Sequence, residues 1–401
     1  MRRRCFPFSL CPPSEDKRHH ESQSVDVQNR YQEVKQAFIL MQPFLAVALS
    51  GGIDSLVSAA LLKEQGHRLV GLHFLTGYEA GFPVPESASV PGGSDAIAAF
   101  ARKSMDLLAA QIDIPIYVID LRSHFQRQVV RYFVDTYAGG RTPNPCLVCN
   151  PTIKYGLLLS EATRLGASGI ATGHYARIER STDGRMHLLR GSDAKKEQSY
   201  FLSRLTQHQL AAATLPLGHL TKAQTRHIAQ QMGLVPVSRQ ESQDICFIRS
   251  KGYADFLMQQ PGFAFSPGPI ENSEGETIGR HNGLHRFTIG QRRGINCPAA
   301  RPYYVIRIDM ARNCLIVGDK EQLLSRQCHV RDINWIGPPP TGSMAVETKV
   351  RYRHEAVKAI VTPIGESDAR VVFETPEPAV TPGQGAVFYQ GDEVLGGGWI
   401  E

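Results

Sequence analysis

The chain has 401 residues, 42% of them hydrophobic and 20% charged, with a formal net charge of +6. That is enough chain for two or three domains and too much apolar content for a disordered polyelectrolyte, while the mild basicity admits a polyanionic partner such as RNA. Apolar runs never approach the roughly 18 residues of a membrane-spanning helix, and eight cysteines are too dilute for a disulfide scaffold, so a reducing cytoplasm is the expected home.

Residues 1–40 carry arginines and a short apolar stretch but no signal-peptide core ahead of Pro12 and the charged run that follows. They are expected to be a disordered polar extension, with an organelle transit peptide as the alternative. From Phe44 the pattern alternates: strand Phe44 to Leu49, helix Ser55 to Glu64, strand Leu69 to Phe74, helix Ala98 to Ala110, strand Ile116 to Leu121. This βαβαβ order predicts a doubly wound parallel sheet, continued by helices around Phe125 to Tyr137 and Ile153 to Leu165 and a strand at Ser168 to Thr172. Gly77 to Ser94, rich in Gly, Pro and Ser, is expected to be a long loop. Helices are predicted at Gln207 to Ala213 and Lys222 to Met232. Ser266-Pro-Gly-Pro and Asn282-Gly then mark turn-rich sequence. The last part reads as strands alone, at Met344 to Arg353, Val357 to Thr362, Arg370 to Phe373 and Ala386 to Tyr389, which predicts a small antiparallel barrel. The expected domains are an α/β catalytic domain over 41–250, a small middle domain over 251–325 and the β-barrel over 326–401.

Three segments carry chemistry. Ser50-Gly51-Gly52-Ile53-Asp54-Ser55 follows a strand and opens a helix, where a tight glycine turn and the positive end of the helix suit a pyrophosphate. Ser50 and Ser55 add hydroxyls, and Asp54 is a candidate magnesium ligand. The absence of a lysine after the glycines separates this loop from the γ-phosphoryl-transfer P-loop. Arg141 to Asn150, RTPNPCLVCN, is expected to be a stiff loop ending in a C-x-x-C pair. Zinc would need a second such pair, and the sequence has none. Ser242 to Ile248 holds Cys246, which taken alone would be a packed core cysteine.

The hexapeptide resembles the pyrophosphate-binding loop of the PP-loop ATP pyrophosphatases. In order along the chain, SGGIDS, Thr142 to Asn150, Gly173-His174-Tyr175, Asp193 to Leu202, Cys246-Phe247-Ile248, Gly290-Gln291-Arg292 and the closing Gly396 to Glu401 resemble the tRNA-specific 2-thiouridylase family. The likeness runs from about residue 44 to the end. It implies ATP, with Mg2+, on Ala48, Leu49, Ser50, Gly51, Gly52, Ile53, Asp54 and Ser55, with Phe74 and Gly173 near the adenosine. It implies Cys149 and Cys246 as catalytic thiols, Cys246 carrying a persulfide loaded by a sulfur-relay protein and Cys149 closing a disulfide with it. It places Asn144, Pro145, Cys146, His174, Lys196, Glu197, Gln198, Arg351, Tyr352 and Gln384 on the tRNA, and the target at the wobble uridine of Lys, Glu and Gln tRNAs. The enzyme is expected to act as a monomer. From the residues themselves, Lys349, Arg351, Arg353 and Lys358, with Tyr352 among them, suit phosphate contact and base stacking.

The sequence departs from the family pattern at Cys146, where many members have Asp, and at Glu197, also usually Asp. A [4Fe–4S] cluster on Cys146, Cys149 and Cys246 is a separate expectation. Two other functions stay open: a PP-loop ligase or amidotransferase acting on a small metabolite, and a non-catalytic tRNA-binding sulfur carrier.

Overall fold

The computed structural model describes residues 43–79, 93–237, 245–248, 252–298 and 301–401. The expected extension over 1–40, most of the loop after the second strand, and Ser242 to Asp244 lie outside these residues.

The first sheet holds β1 (Phe44–Ala48), β2 (Leu69–Leu75), β3 (Ile116–Asp120), β4 (Ala167–Ala171) and the later β7 (Ala213–Thr214), in the order β3-β2-β1-β4-β7, all parallel. Helices Ile53–Glu64 and Gly93–Ile112 connect the first strands. β1 is short, apolar and buried along most of its length, as a central parallel strand covered on both faces must be. Chain order reverses between β1 and β4, and in such sheets ligands bind in the crevice outside the carboxyl ends of those two strands.

The middle sheet comprises β8 (Gly268–Glu271), β9 (Thr277–His281), β10 (Tyr304–Asp309) and β11 (Cys314–Gly318), ordered β10-β11-β8-β9 around Ile270, Val305, Leu315 and Val317. The C-terminal strands are β12 (Leu324–Trp335), β13 (Met344–Lys349), β14 (Val357–Ile364), β15 (Asp368–Pro378), β16 (Gly385–Gln390) and β17 (Glu393–Ile400). Because β12 pairs with both β15 and β17, these six antiparallel strands close into the expected barrel. One hairpin was not foreseen. β5 (Ala176–Arg180) and β6 (Met186–Arg190) leave the α/β domain and extend the barrel sheet, Glu393 of β17 pairing with Leu189 of β6.

The segment expected to be a loop before Cys149 is helical from Pro145 onward. Asn144 is the N-cap of Pro145–Cys149, which runs on as a π-helix over Asn150–Leu158 and an α-helix over Leu159–Arg164. Proline is tolerated at the first helical position, where its missing N–H is not needed and its φ is already helical. Here the prolines open a helix rather than hold a loop. Among the described residues no helix is long and apolar enough to cross a membrane.

Candidate active site

The site grows from the crevice between β1 and β4. Beyond Ala48 and buried Leu49 the chain turns at Gly51, whose φ of +83° residues with side chains rarely adopt. Ser55 ties the loop together, accepting from the Ser50 N–H at 3.2 Å and donating to the Gly52 carbonyl at 2.9 Å. Gly52 is the N-cap of helix Ile53–Glu64, so the first-turn N–H groups and the positive helix end face the loop. Gly173, just past β4, closes on the same place: a β-carbon there would stand 2.9 Å from the Asp54 carbonyl carbon and the Ser55 nitrogen. Phe74 is half-buried on the adjacent β2. The loop and Gly173 thus meet, as a nucleotide site drawn from both segments requires.

Asp54 behaves differently from its expected use. Its Oδ1 accepts from the Tyr175 hydroxyl at 2.8 Å, and Lys222 Nζ reaches both carboxylate oxygens at 2.7 and 2.8 Å. To reach magnesium this carboxylate would have to exchange one of these partners. Lys222 is buried at the start of helix Lys222–Gln231 and is held there by the Thr221 cap and by its own N–H donated to Asp193 Oδ2 at 2.8 Å.

Cys146 lies in the first turn of the 145–164 helix and Cys149 at the start of the second, and Cys246 is exposed on a turn within Ile245–Ile248. Phe247 fixes that turn. Its ring is buried 5.3 Å from Phe133 and Phe256, 5.7 Å from Phe125 and 5.8 Å from Tyr78, centroid to centroid. The three sulfurs share one electrostatic neighbourhood. Burial, helped by the proximity of Cys246, pushes Cys146 up to about 11 and Cys149 up to about 12. Cys246 touches solvent, yet the protein packed around it still raises its thiol. Lys154 opposes the rise at all three. The three are free thiols. Among the described residues no group of three or more His, Cys, Asp or Glu side chains is arranged to hold a metal ion, so the trio is not set out as the ligand shell of an iron–sulfur cluster.

The residues placed on tRNA by resemblance surround these thiols, and several are engaged within the protein. His174 is buried between Lys154 Nζ, at 3.2 Å, and Thr172 Oγ1, at 2.6 Å, and burial holds its pKa well below the usual histidine range. Gln198 is pinned to Tyr175, its side-chain oxygen accepting from the Tyr175 N–H at 3.0 Å and its own N–H donating to the Tyr175 carbonyl at 2.8 Å. Glu197 is buried, with Oε2 lacking a hydrogen-bond donor among the described residues and Lys349 Nζ 3.9 Å away. Lys196 is half-buried on the same turn, its N–H donating to the Asp193 carbonyl at 3.0 Å. Asn144 and Pro145 are buried under the barrel, whose Gln384 donates to the Thr142 and Pro143 carbonyls at 3.1 and 3.0 Å. Arg351 donates to the Ile289 carbonyl at 2.8 Å and to Thr381. Tyr352 packs against Phe201 with centroids 4.3 Å apart and the rings tilted by 37°.

A family model described as the tRNA methyl transferase HUP domain matches residues 44–250, one described as its PRC-barrel domain matches 254–319, and an aminomethyltransferase beta-barrel model matches 325–400. The chain is 51% identical to the tRNA-specific 2-thiouridylase of Desulfosudis oleivorans, over 89% of its own length and 95% of that relative's. It is 46% identical to the one of Geobacter metallireducens, covering 89% and 96%, and 43% identical to the one of Moorella thermoacetica, covering 88% and 98%. The chain belongs to the tRNA-specific 2-thiouridylase family.

In this family member, sequence reasoning missed Lys154, Lys222, Tyr175 and Phe247 as parts of the site. Lys222 had a signal, because Thr221 and Gln224 form a capping box that fixes a helix start. Nothing local tied that start to Asp54. Phe247 taken alone predicts a packed Cys246; the ring is buried, and the residue beside it is exposed.

Proposed function

We propose that the protein is an ATP-dependent tRNA 2-thiouridylase, which adenylates the 2-oxygen of the wobble uridine in Lys, Glu and Gln tRNAs and replaces it with sulfur. The observation that carries this reading is the convergence of Cys146, Cys149 and Cys246 on one charged neighbourhood, in a chain whose Ser50-to-Ser55 loop and Gly173 meet at the β1/β4 crevice. Methyl transfer, the phrase in two of the domain descriptions, has no use for a pyrophosphate-binding loop.

The uridine 2-oxygen attacks the α-phosphorus of ATP held on Ala48 to Ser55, and pyrophosphate leaves with the electron pair of the broken P–O bond. Carbon 2 becomes electrophilic. The outer sulfur of a Cys246 persulfide bonds to that carbon and AMP departs with the original oxygen. Cys149, as thiolate, attacks the Cys246 sulfur; the persulfide S–S bond breaks and its pair stays on the sulfur now attached to carbon 2. The products are 2-thiouridine, AMP, pyrophosphate and a Cys149–Cys246 disulfide that an external thiol reductant reopens. A helix start and its N–H groups favour the phosphate charge in the first step, and the second needs thiolates. Magnesium enters with the triphosphate. Sulfur is supplied by a persulfide-bearing protein, and the enzyme works as a cytoplasmic monomer.

The test is mass spectrometry of nucleosides from unmodified tRNA incubated with the protein, ATP, magnesium and a persulfide donor. 2-Thiouridine should appear with the wild type and vanish with Cys149→Ala and with Cys246→Ala. AMP release without thiouridine would reject the reading.

A further inference from the structure

The 145–164 helix changes pitch just after Cys149, and the sequence gives the cause. In a regular α-helix a residue five positions on points about 140° away from the first. Over Asn150–Leu158 the helix is instead π-helical, a geometry with an extra residue per turn that recurs at functional sites. Pro151 lacks an N–H and its ring would crowd the Leu147 carbonyl in an α-helix. Five residues on, Gly156 admits the wide turn, because a β-carbon there would stand 2.8 Å from the Pro151 oxygen. The widened turn swings Lys154, five residues after Cys149, back toward the cysteine face.

Lys154 is then held in place. Its Nζ lies 3.2 Å from His174 Nε2; His174 Nδ1 is 2.6 Å from Thr172 Oγ1, which is 2.7 Å from the Tyr155 hydroxyl. Burial, reinforced by the Lys154 charge, keeps the imidazole neutral, so Nε2 accepts from the ammonium. Among the described residues no carboxylate pairs with Lys154. A neutral acceptor fixes the cation without cancelling its charge.

We propose that Lys154 is the positioning residue for both catalytic thiols: brought round by the π-turn and held by His174, its ammonium stabilises the sulfur anions of Cys149 and Cys246 through sulfur transfer. Among the described residues it is the cation that acts on all three thiols, and after burial it is the largest influence on Cys149. Among the described residues, the other titratable groups facing them are Glu79, acting on Cys246; Tyr352 from the barrel, acting with Cys146; and His174 and Tyr155 in the Lys154 chain. The role rests on the thiol chemistry proposed above, but it is measurable without tRNA or ATP.

The experiment follows iodoacetamide alkylation of Cys149 and Cys246 in the full chain against pH, with the modified peptides resolved by mass. Lys154→Gln keeps a hydrogen-bonding group near His174 and removes the charge; Lys154→Arg restores it. Alkylation of Cys149 at pH 8 should fall about tenfold in Lys154→Gln, the equivalent of one pKa unit, and return to within about threefold in Lys154→Arg. A folded Lys154→Gln protein with an unchanged rate–pH curve overturns the proposal. If that variant does not fold, His174→Leu decides: without its acceptor the ammonium is no longer held toward the thiols, so the Cys149 rate–pH curve should shift, and an unchanged curve would refute the role. Loss of thiouridine formation with Lys154-dependent alkylation intact would reject the proposed function and leave this inference standing.

Discussion

Cys149 shows how one residue can be placed for two incompatible demands. Its neighbours bury it, which favours the neutral thiol, while sulfur transfer needs the thiolate, so the resting protein stores the nucleophile protonated. That storage has a sign for stability. Free cysteine ionises near 8.5, whereas Cys146 and Cys149 are held up at about 11 and about 12. Above roughly pH 8.5 the unfolded chain releases protons that the folded one keeps. The folded pKa values are raised, so this contribution is full below the unfolded value and is lost as pH rises. The slope is at most about 1.4 kcal/mol per pH unit per thiol, less what solvent screening removes. Urea midpoints measured from pH 7 to 10 should therefore fall above pH 8.5, and fall less steeply in Cys149→Ala. Parallel curves for the two proteins would show that Cys149 is not protonated by its surroundings.

At the scale of elements, what the sequence made legible was what period and punctuation encode. Phe44 to Ala48 is an apolar run before a Gly-Gly turn, and the strand, the loop and the helix after it follow from those residues. The barrel strands alternate and are bounded by Gly, Pro and Asp. The β5–β6 hairpin was illegible because Ala-Arg-Ile-Glu-Arg and Met-His-Leu-Leu-Arg carry little apolar pattern and are ordered by pairing with β17, more than two hundred residues away in sequence. The same holds for Lys154, whose approach to the thiols depends on a π-turn that α-helical periodicity does not anticipate. Phe247 is the case where local reading and structure diverge most usefully. Its ring anchors a four-residue turn among Phe125, Phe133, Tyr78 and Phe256, so the place of Cys246 is set by packing. Phe247→Ala should remove an anchor worth about 3 to 5 kcal/mol in a well-packed core. Single-turnover thiolation should drop more than about tenfold while ATP affinity by calorimetry changes less than about twofold, because no residue of the Ser50-to-Ser55 loop is among the four rings that hold Phe247. A folded variant with wild-type thiolation would mean that Cys246 is positioned by something else.

Across the whole molecule, the barrel acts on the catalytic segment directly. Gly383, with φ of +88°, lies where a β-carbon would stand 2.8 Å from the Thr142 oxygen, and at Gly385 one would stand 2.4 Å from Leu147 Cδ1. Between them Gln384 donates to the Thr142 and Pro143 carbonyls, and Tyr200 donates to the Gly385 carbonyl at 2.9 Å. Three consecutive barrel residues thus grip the stretch that begins the cysteine helix. Resemblance places Gln384 on tRNA, whereas its observed partners make it a clamp, and the two roles separate kinetically. As a clamp, its amide holds two carbonyls at about 1 kcal/mol each, and Gln384→Ala should loosen the approach of Cys149 to Cys246. In that case kcat for thiolation falls about tenfold and tRNA affinity, measured by filter binding, changes less than about twofold. As a tRNA contact, the same substitution weakens tRNA binding and leaves kcat at saturating tRNA near the wild-type value. Since both donor hydrogens of the amide are already spent on the protein, the clamp is the expected outcome. A variant that binds tRNA more weakly with kcat intact would mean that Gln384 lets go of Thr142 and Pro143 when the RNA arrives.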